Sequence, residues 1–285
     1  MFKRLLSHLL IGLATFTLTA TFFMWTIDAR LLEPTVLNGE LQKAGVFEEF
    51  TKLLPQIVTT DEEATEQEKQ DMVDKISQSI DAAYVQDKLL EISSSLTTFM
   101  KSGEPDPVLD ISDFPDRLSM HGVEAGEEIE SKFNDPIELN KDGNLDMVPK
   151  VYKTFSMVKW AGVFVFVGLL LLEWLLVEKG KKLRRISRIF LYAGISYFLY
   201  WVLLVGAQSK LGPVLQKNVQ ATYDTTGLIT AILKAINGIF SAYFLSFALA
   251  CFAVTVTLYA IRHYRDGDVL KAQPENTGKK NPKKA

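Results

Sequence analysis

The stretch Val158-Lys-Trp-Ala-Gly-Val-Phe-Val-Phe-Val-Gly-Leu-Leu-Leu-Leu-Glu-Trp-Leu-Leu-Val177 decides the fold class, together with Glu178-Lys-Gly-Lys-Lys-Leu-Arg-Arg-Ile-Ser-Arg188 that follows it. As a helix, residues 158–177 rise about 30 Å, the thickness of a bilayer's hydrocarbon core. Six of the next eleven residues are basic. An apolar run of this length ending in a basic cluster reads as a transmembrane helix held at its cytoplasmic end.

Three more stretches have the same character. Leu5–Ile27 carries no Asp, Glu, Lys or Arg, and its histidine, His8, sits near the start. Ile189–Ala207 and Gly238–Ile261 exceed the length of about 18 residues beyond which a buried soluble helix explains an apolar run poorly. Trp25, Trp160, Trp174, Trp201 and Tyr259 fall near span ends, where amphipathic rings prefer to sit. Lys3 and Arg4 ahead of the first run also fit a signal peptide, but the run is too long and no small-x-small cleavage site follows.

Charge sorts along the chain. Residues 28–155 hold 28 Asp and Glu against 12 Lys and Arg, a net of −16, whereas the rest has 6 against 19, a net of +13. The overall −3 and the mean hydropathy of +0.11 describe neither part. Such sorting argues against a soluble enzyme and for a protein with two membrane faces. Of those 19 basic residues, 15 lie in the amino terminus, the connector 178–188 and the tail beginning at Arg262. With four spans all three lie on one side, and the positive-inside rule makes that side cytoplasmic.

The expected architecture is therefore an all-α membrane protein of the cell membrane, multi-pass, with both termini cytoplasmic. Residues 1–27 are the amino terminus and first span; 28–157 form an acidic, mostly helical extracytoplasmic domain inserted between the first and second spans. Residues 158–261 hold three further spans, the connector 178–188 and an outer loop 208–237. Residues 262–285, rich in Lys, Pro, Gly and Asn, read as a basic disordered tail drawn to membrane lipid.

Within the acidic domain, Leu31-Leu-Glu-Pro34 ends the first helix. Short helices are expected near 35–44 and 46–54, split at Gly45 and closed by Pro55. A long helix follows from about Thr65 to Met100, with a stripe whose core is Ile76, Ile80, Tyr84, Ile92, Leu96 and Phe99. Asp113 caps a helix expected to end near Phe133. This order of features resembles a group of uncharacterised prokaryotic four-span membrane proteins with a helical extracytoplasmic domain. The residues that carry the resemblance are Gly45-Val-Phe-Glu-Glu-Phe50, the helix Asp81–Met100 and Ser102-Gly-Glu-Pro-Asp-Pro-Val-Leu-Asp-Ile-Ser112. It implies a shared architecture and brings no activity.

Few residues suggest chemistry. Glu138, Asn140, Asp142, Asn144 and Asp146 alternate around Gly143 as oxygen ligands do in a calcium loop. Glu138 stands where Asp is usual, and Pro149 takes the place of the bidentate Glu. The competing reading is a hairpin, with Ile137 and Leu139 on one arm and Leu145 and Met147 on the other. Glu173 lies inside a span near its basic end, which points to an ion pair reaching out to the connector rather than a proton relay. Ala242, Ser246 and Ala250 form a row of small residues suited to close helix packing. Thr15, Thr17, Thr19 and Thr21 spread around their helix, so their hydroxyls are expected to bond back to its backbone. Cys251 reads as an inert apolar-site thiol. His8, His121 and His263 are scattered, and no nucleotide, nucleophile-elbow or zinc-protease motif occurs. No aromatic or folded platform accompanies the basic tail, so nucleic acid is not an expected partner. These features point to a non-enzymatic membrane protein whose outer domain meets an envelope or membrane protein or senses a condition. A component of a small-solute transporter or channel is the alternative. Neither a cofactor beyond the calcium loop nor an oligomeric state follows from the residues.

Overall fold

The computed structural model describes residues 2–58, 74, 78–122, 135–218 and 226–271. It is all-α apart from one two-stranded pairing. The elements are α1 (Phe2–Thr26), a π-helical turn (Ile27–Leu31), α2 (Pro34–Lys43), α3 (Val46–Val58), α4 (Ala82–Ser102), β1 (Val108–Leu109), α5 (Phe114–Met120), β2 (Ile137–Glu138), α6 (Val148–Leu176), a 3₁₀ turn (Lys179–Lys181), α7 (Lys182–Asn218) and α8 (Thr226–Lys271).

Four helices, α1, α6, α7 and α8, are long and apolar enough to cross a membrane. α7 and α8 form the most extensive pair, α1 lies against both α6 and α7, and α6 leans mainly on α1. The centre of the bundle is Tyr197, fully buried, with its ring edge-on to Phe22, Phe244 and Phe247 at centroid distances of 5.2, 5.2 and 4.8 Å. Its hydroxyl donates to the Thr19 carbonyl at 2.8 Å, which answers the cost of a bare hydroxyl in an apolar interior. Where α7 crosses α8, Gly194 faces Cys251 and Phe252, and a Cβ there would stand 3.2 Å from the Cys251 Cβ. Cys251 is buried in this helix contact.

One end of the bundle gathers the basic flanks. Arg185 reaches Ser7 near the start of α1, and the Thr255 hydroxyl donates to the Ser187 carbonyl at 3.3 Å. The opposite end carries α2 to α5. α8 continues past its span to that end, where Ala231 and Ala235 pack on Val46 and fix α2 and α3 to the bundle. The core there is Phe47, Ile80, Tyr84, Val85 and Leu118. Gly45 at φ +78° turns α2 into α3, and Gly103 at φ +87° ends α4 in the left-handed conformation that glycine adopts at helix ends.

Several sequence expectations are corrected. The long helix does not run unbroken from Thr65: Ile80 and Asp81 leave helical geometry, and the Asp81 carboxylate accepts the Tyr84 N–H at 2.8 Å as the cap of α4. A helical stripe can continue across a cap, because burial by neighbours sets it rather than backbone continuity. Ile80, Tyr84 and Phe99 are buried, Ile92 and Leu96 half-buried, and Ile76 lies outside the described residues. α3 runs on through Pro55 to Val58, since a proline removes a single backbone donor. α5 stops at Met120, where Gly122 takes φ +76°, and not near Phe133. The loop 208–237 is largely helix, the ends of α7 and α8, and α8 persists to Lys271 beyond the expected start of the tail.

Candidate functional site

The cluster that stands out lies on the α2–α5 unit. Tyr84 projects from the first turn of α4 with its ring beneath two cations, the Arg117 guanidinium carbon 4.3 Å and the Lys88 Nζ 5.7 Å from the centroid. Asp113, just before α5, ties them together. It accepts the Tyr84 hydroxyl at 3.1 Å, pairs with Lys88 at 3.2 Å and receives Arg117 Nε at 3.1 Å. Lys88 also donates to the Asp110 carbonyl at 2.5 Å and stands 3.6 Å from Glu91. Partial burial would push the Asp113 carboxyl up, but the hydrogen bonds from Lys88, Tyr84 and Arg117 outweigh it and hold its pKa below the usual value. Burial first, then the Asp113 charge and hydrogen bond, pushes the Tyr84 phenol well above its ordinary range. Both groups keep their neutral-pH charge states, so the cluster is a fixed arrangement rather than an acid–base pair.

Beside this cluster runs an apolar groove of about 350 Å³, walled by Phe50, Ile80, Leu89, Ile92, Leu109 and Phe114. The volume falls within the range of about 300–1,000 Å³ typical of ligand sites. The groove is lined by hydrocarbon and rimmed by paired charge, the chemistry of a surface that receives an apolar anchor flanked by polar groups. Sequence periodicity could locate the stripe on α4, but not that part of it stays open.

The calcium-loop residues are placed differently. Ile137–Glu138 pair antiparallel with Val108–Leu109, so the hairpin with Leu145 and Met147 does not form; residues 139–147 make successive turns. β1 offers an extended edge from far along the chain, and the local arm loses to it. Asn140 organises the loop: its amide nitrogen donates to Asp106 and Asp146 at 2.9 and 3.0 Å, and its oxygen accepts the Leu145 N–H at 2.8 Å. Glu138, Asp142 and Asn144 are exposed. Among the described residues no three His, Cys, Asp or Glu side chains gather into a metal-binding group.

In the spans, Glu173 finds the expected partner by a different route. It does not reach outward but is fully buried, and the Ser7 hydroxyl donates to its Oε1 while Arg185 donates to Ser7. Burial is possible because α1 supplies Ser7 and α7 supplies the cation. At the other end Lys159 is buried against Asp28, which also accepts the Tyr152 hydroxyl at 2.9 Å, and its ammonium lies 4.7 Å from the Trp25 ring centroid. Sequence reasoning passed over this pair, although one charge just inside the second span and another just past the first are at matching depth. Thr15, Thr17 and Thr19 donate to carbonyls four residues back, and Thr21 is buried against Gly162. Ala242, Ser246 and Ala250 face outward; the buried row of α8 is Phe244, Ala248, Cys251 and Thr255.

What these features define is a helical protein with four helices able to cross a membrane and an acidic unit at one end of their bundle. No family model, no curated protein and no solved structure matches the chain.

Proposed function

We propose that residues 28–157 form an extracytoplasmic interaction module, anchored by the four-span bundle in the cell membrane with both termini cytoplasmic, and that the protein is not an enzyme. The observation that carries this reading is the apolar groove beside the Tyr84–Asp113 cluster. Its occupant is a basic, amphipathic segment of an envelope or membrane protein. Apolar side chains of that segment fill the groove, and its cations meet a domain with a net charge of −16 across residues 28–155. The cytoplasmic placement of the basic flanks rests on the positive-inside rule. The alternative, a component of a small-solute transporter or channel, has less support. Among the described residues, the two charged side chains buried in the spans, Glu173 and Lys159, are paired across helices with Arg185 and Asp28.

The test is cross-linked co-purification from native membranes with the full chain and with Ile92→Glu, which places a charge in the groove. A basic-segment partner lost by Ile92→Glu and kept by a control at Val256, on the far side of the bundle, supports the module. A partner kept by both assigns the contact to the bundle. No partner with either removes the interaction reading and turns attention to solute flux.

A further inference from the structure

We infer that the bundle holds a specific site for an anionic glycerophospholipid, with its acyl chain in a groove between α1, α7 and α8 and its headgroup phosphate on Arg30. The groove encloses about 550 Å³ and is walled by Phe16, Ala20, Phe23, Leu203, Leu204 and Phe244. Thr19 and Tyr200 also line it; the Thr19 hydroxyl is spent on the Thr15 carbonyl at 2.8 Å and its carbonyl accepts Tyr197 at 2.8 Å, which leaves the Tyr200 phenol as the polar group of an otherwise apolar lining. A polar solute would lose its hydration there and gain little in return, whereas a hydrocarbon chain leaves nothing unsatisfied.

The dimensions fit one leaflet. The apolar run Leu5–Ile27 is centred on Phe16. Phe23 lies seven residues further, about 10 Å along the axis, and Arg30 fourteen residues further, about 21 Å. Half of a hydrocarbon core is about 15 Å, and headgroups extend to about 20–22 Å from the midplane. Phe16 and Phe23 stand seven residues apart on α1 and so share a face of that helix, and Arg30 follows in the π-helical turn that continues it. The groove therefore runs from the midplane toward one surface, and Arg30 stands at headgroup depth above it.

Arg30 has charge to give. Its guanidinium carbon lies 4.4 Å from the Tyr243 ring centroid, and its buried Nε has no hydrogen-bond acceptor. Among the described residues no carboxylate forms an ion pair with it, for nearby Asp28 is held by Lys159 and Tyr152. Tyr243 adjoins Phe244 in α8, and Phe244 lies 6.2 Å from Phe23 between centroids, so the ring under the cation and a wall of the groove occupy neighbouring positions of one helix. A phosphate at Arg30 supplies the missing acceptor and a planar two-point contact.

The experiment places the full chain in nanodiscs containing phosphatidylglycerol or phosphatidylcholine with a photoreactive acyl chain, and maps labelled residues by mass spectrometry. Label concentrated at Phe16, Phe23 and Leu203, with phosphatidylglycerol favoured about fivefold, is the expected result. Ala20→Phe, which fills the groove, removes that label while sparing Phe164 and Leu175 on the exposed face of α6; Leu203→Trp serves if Ala20→Phe fails to fold. Arg30→Gln keeps the acyl label and loses the preference for the anionic lipid. Label spread evenly over α6 and the groove overturns the proposal, since it reports bulk lipid alone. A groove left unlabelled while α6 is labelled also overturns it, because protein then covers the site. An unchanged lipid preference in Arg30→Gln overturns the headgroup assignment.

Discussion

The Glu173 carboxylate stands 3.7 Å from the guanidinium of Arg185, with the Ser7 hydroxyl bridging the two. Three helices, α1, α6 and α7, are thereby joined at one buried point. Glu173 Oε2 has no hydrogen-bond partner, so the carboxylate is incompletely satisfied and depends on this one cation. Removing a single partner from a buried pair leaves an uncompensated charge and costs about 3–5 kcal/mol, whereas replacing both with apolar groups is often neutral. Arg185→Leu is therefore expected to destabilise the bundle more than the double variant Glu173→Leu/Arg185→Leu. Thermal unfolding of the purified chain in detergent, arranged as a double-mutant cycle, measures this. Additive losses would show that the two residues act independently.

The pair at the other end predicts a different pattern. Lys159 is 5% exposed and touches both Asp28 and the Trp25 ring. Lys159→Met preserves the aliphatic packing and strands Asp28, which still accepts the Tyr152 hydroxyl. That remaining bond keeps the loss below the cost of an unpartnered buried charge. Lys159→Met is expected to lower stability by about 1–3 kcal/mol, and Tyr152→Phe added to it by about 1 more. Equal stability of Lys159→Met and the parent chain would remove the pair from the forces that hold α6 to α1.

Strong acid should loosen the α2–α5 unit. The Asp113 pKa is depressed in the fold, so its contribution is present above the unfolded value of about 3.9 and fades as pH falls through the folded value. Lys88, Arg117 and Tyr84 face it directly, with Asp110 and Glu91 close to Lys88. Asp113 is nearly half exposed, so solvent screens these contacts and the effect is modest. Asp113→Asn is expected to lower the unfolding temperature at pH 7 and to lose that effect as pH falls below the ordinary carboxyl range and through the folded value. For Tyr84 the sign reverses, because its raised pKa gives stability that is complete below about pH 10 and lost as pH climbs further. Circular dichroism melts across both ranges distinguish the two groups.

The spans were legible because crossing a bilayer imposes a one-dimensional condition of enough consecutive apolar residues, and Val158–Val177 meets it without reference to any neighbour. Helix ends were not, because they depend on what a residue meets in space. Asp81 is a usual cap residue, yet the apolar stripe passes through it at Ile80 and Tyr84 and hides the break. Ile137 pairs with Leu109 rather than with a residue a few positions away, which no local pattern states. The groove on α4 was half legible: its walls are the predicted stripe, while its openness follows from where Phe50 and Phe114 settle. Buried charge was the least legible feature, since the distance from Glu173 to Ser7 exists only once α1 and α6 are packed.

The crossing of α7 and α8 gives the last prediction. Gly194 lies close against α8, and an alanine Cβ would stand 2.9 Å from Phe252 Cε1 and 3.2 Å from the Cys251 Cβ. The ring edge can swing aside; the Cys251 Cβ moves only with the backbone of α8. Alanine regains about 1 kcal/mol of helix propensity over glycine, while overpacking a close contact costs about 1–3 kcal/mol. The two terms nearly offset for Gly194→Ala, which should change stability by no more than about 1 kcal/mol. Gly194→Leu gains no further propensity and must push the helices apart beside Tyr197, whose ring packs on three phenylalanines. It should destabilise the chain by about 3 kcal/mol or more. Unfolding measured for the two variants side by side tests the geometry, because only a tight crossing separates them. Equal behaviour of alanine and leucine would mean that α7 and α8 have room to spare at this point.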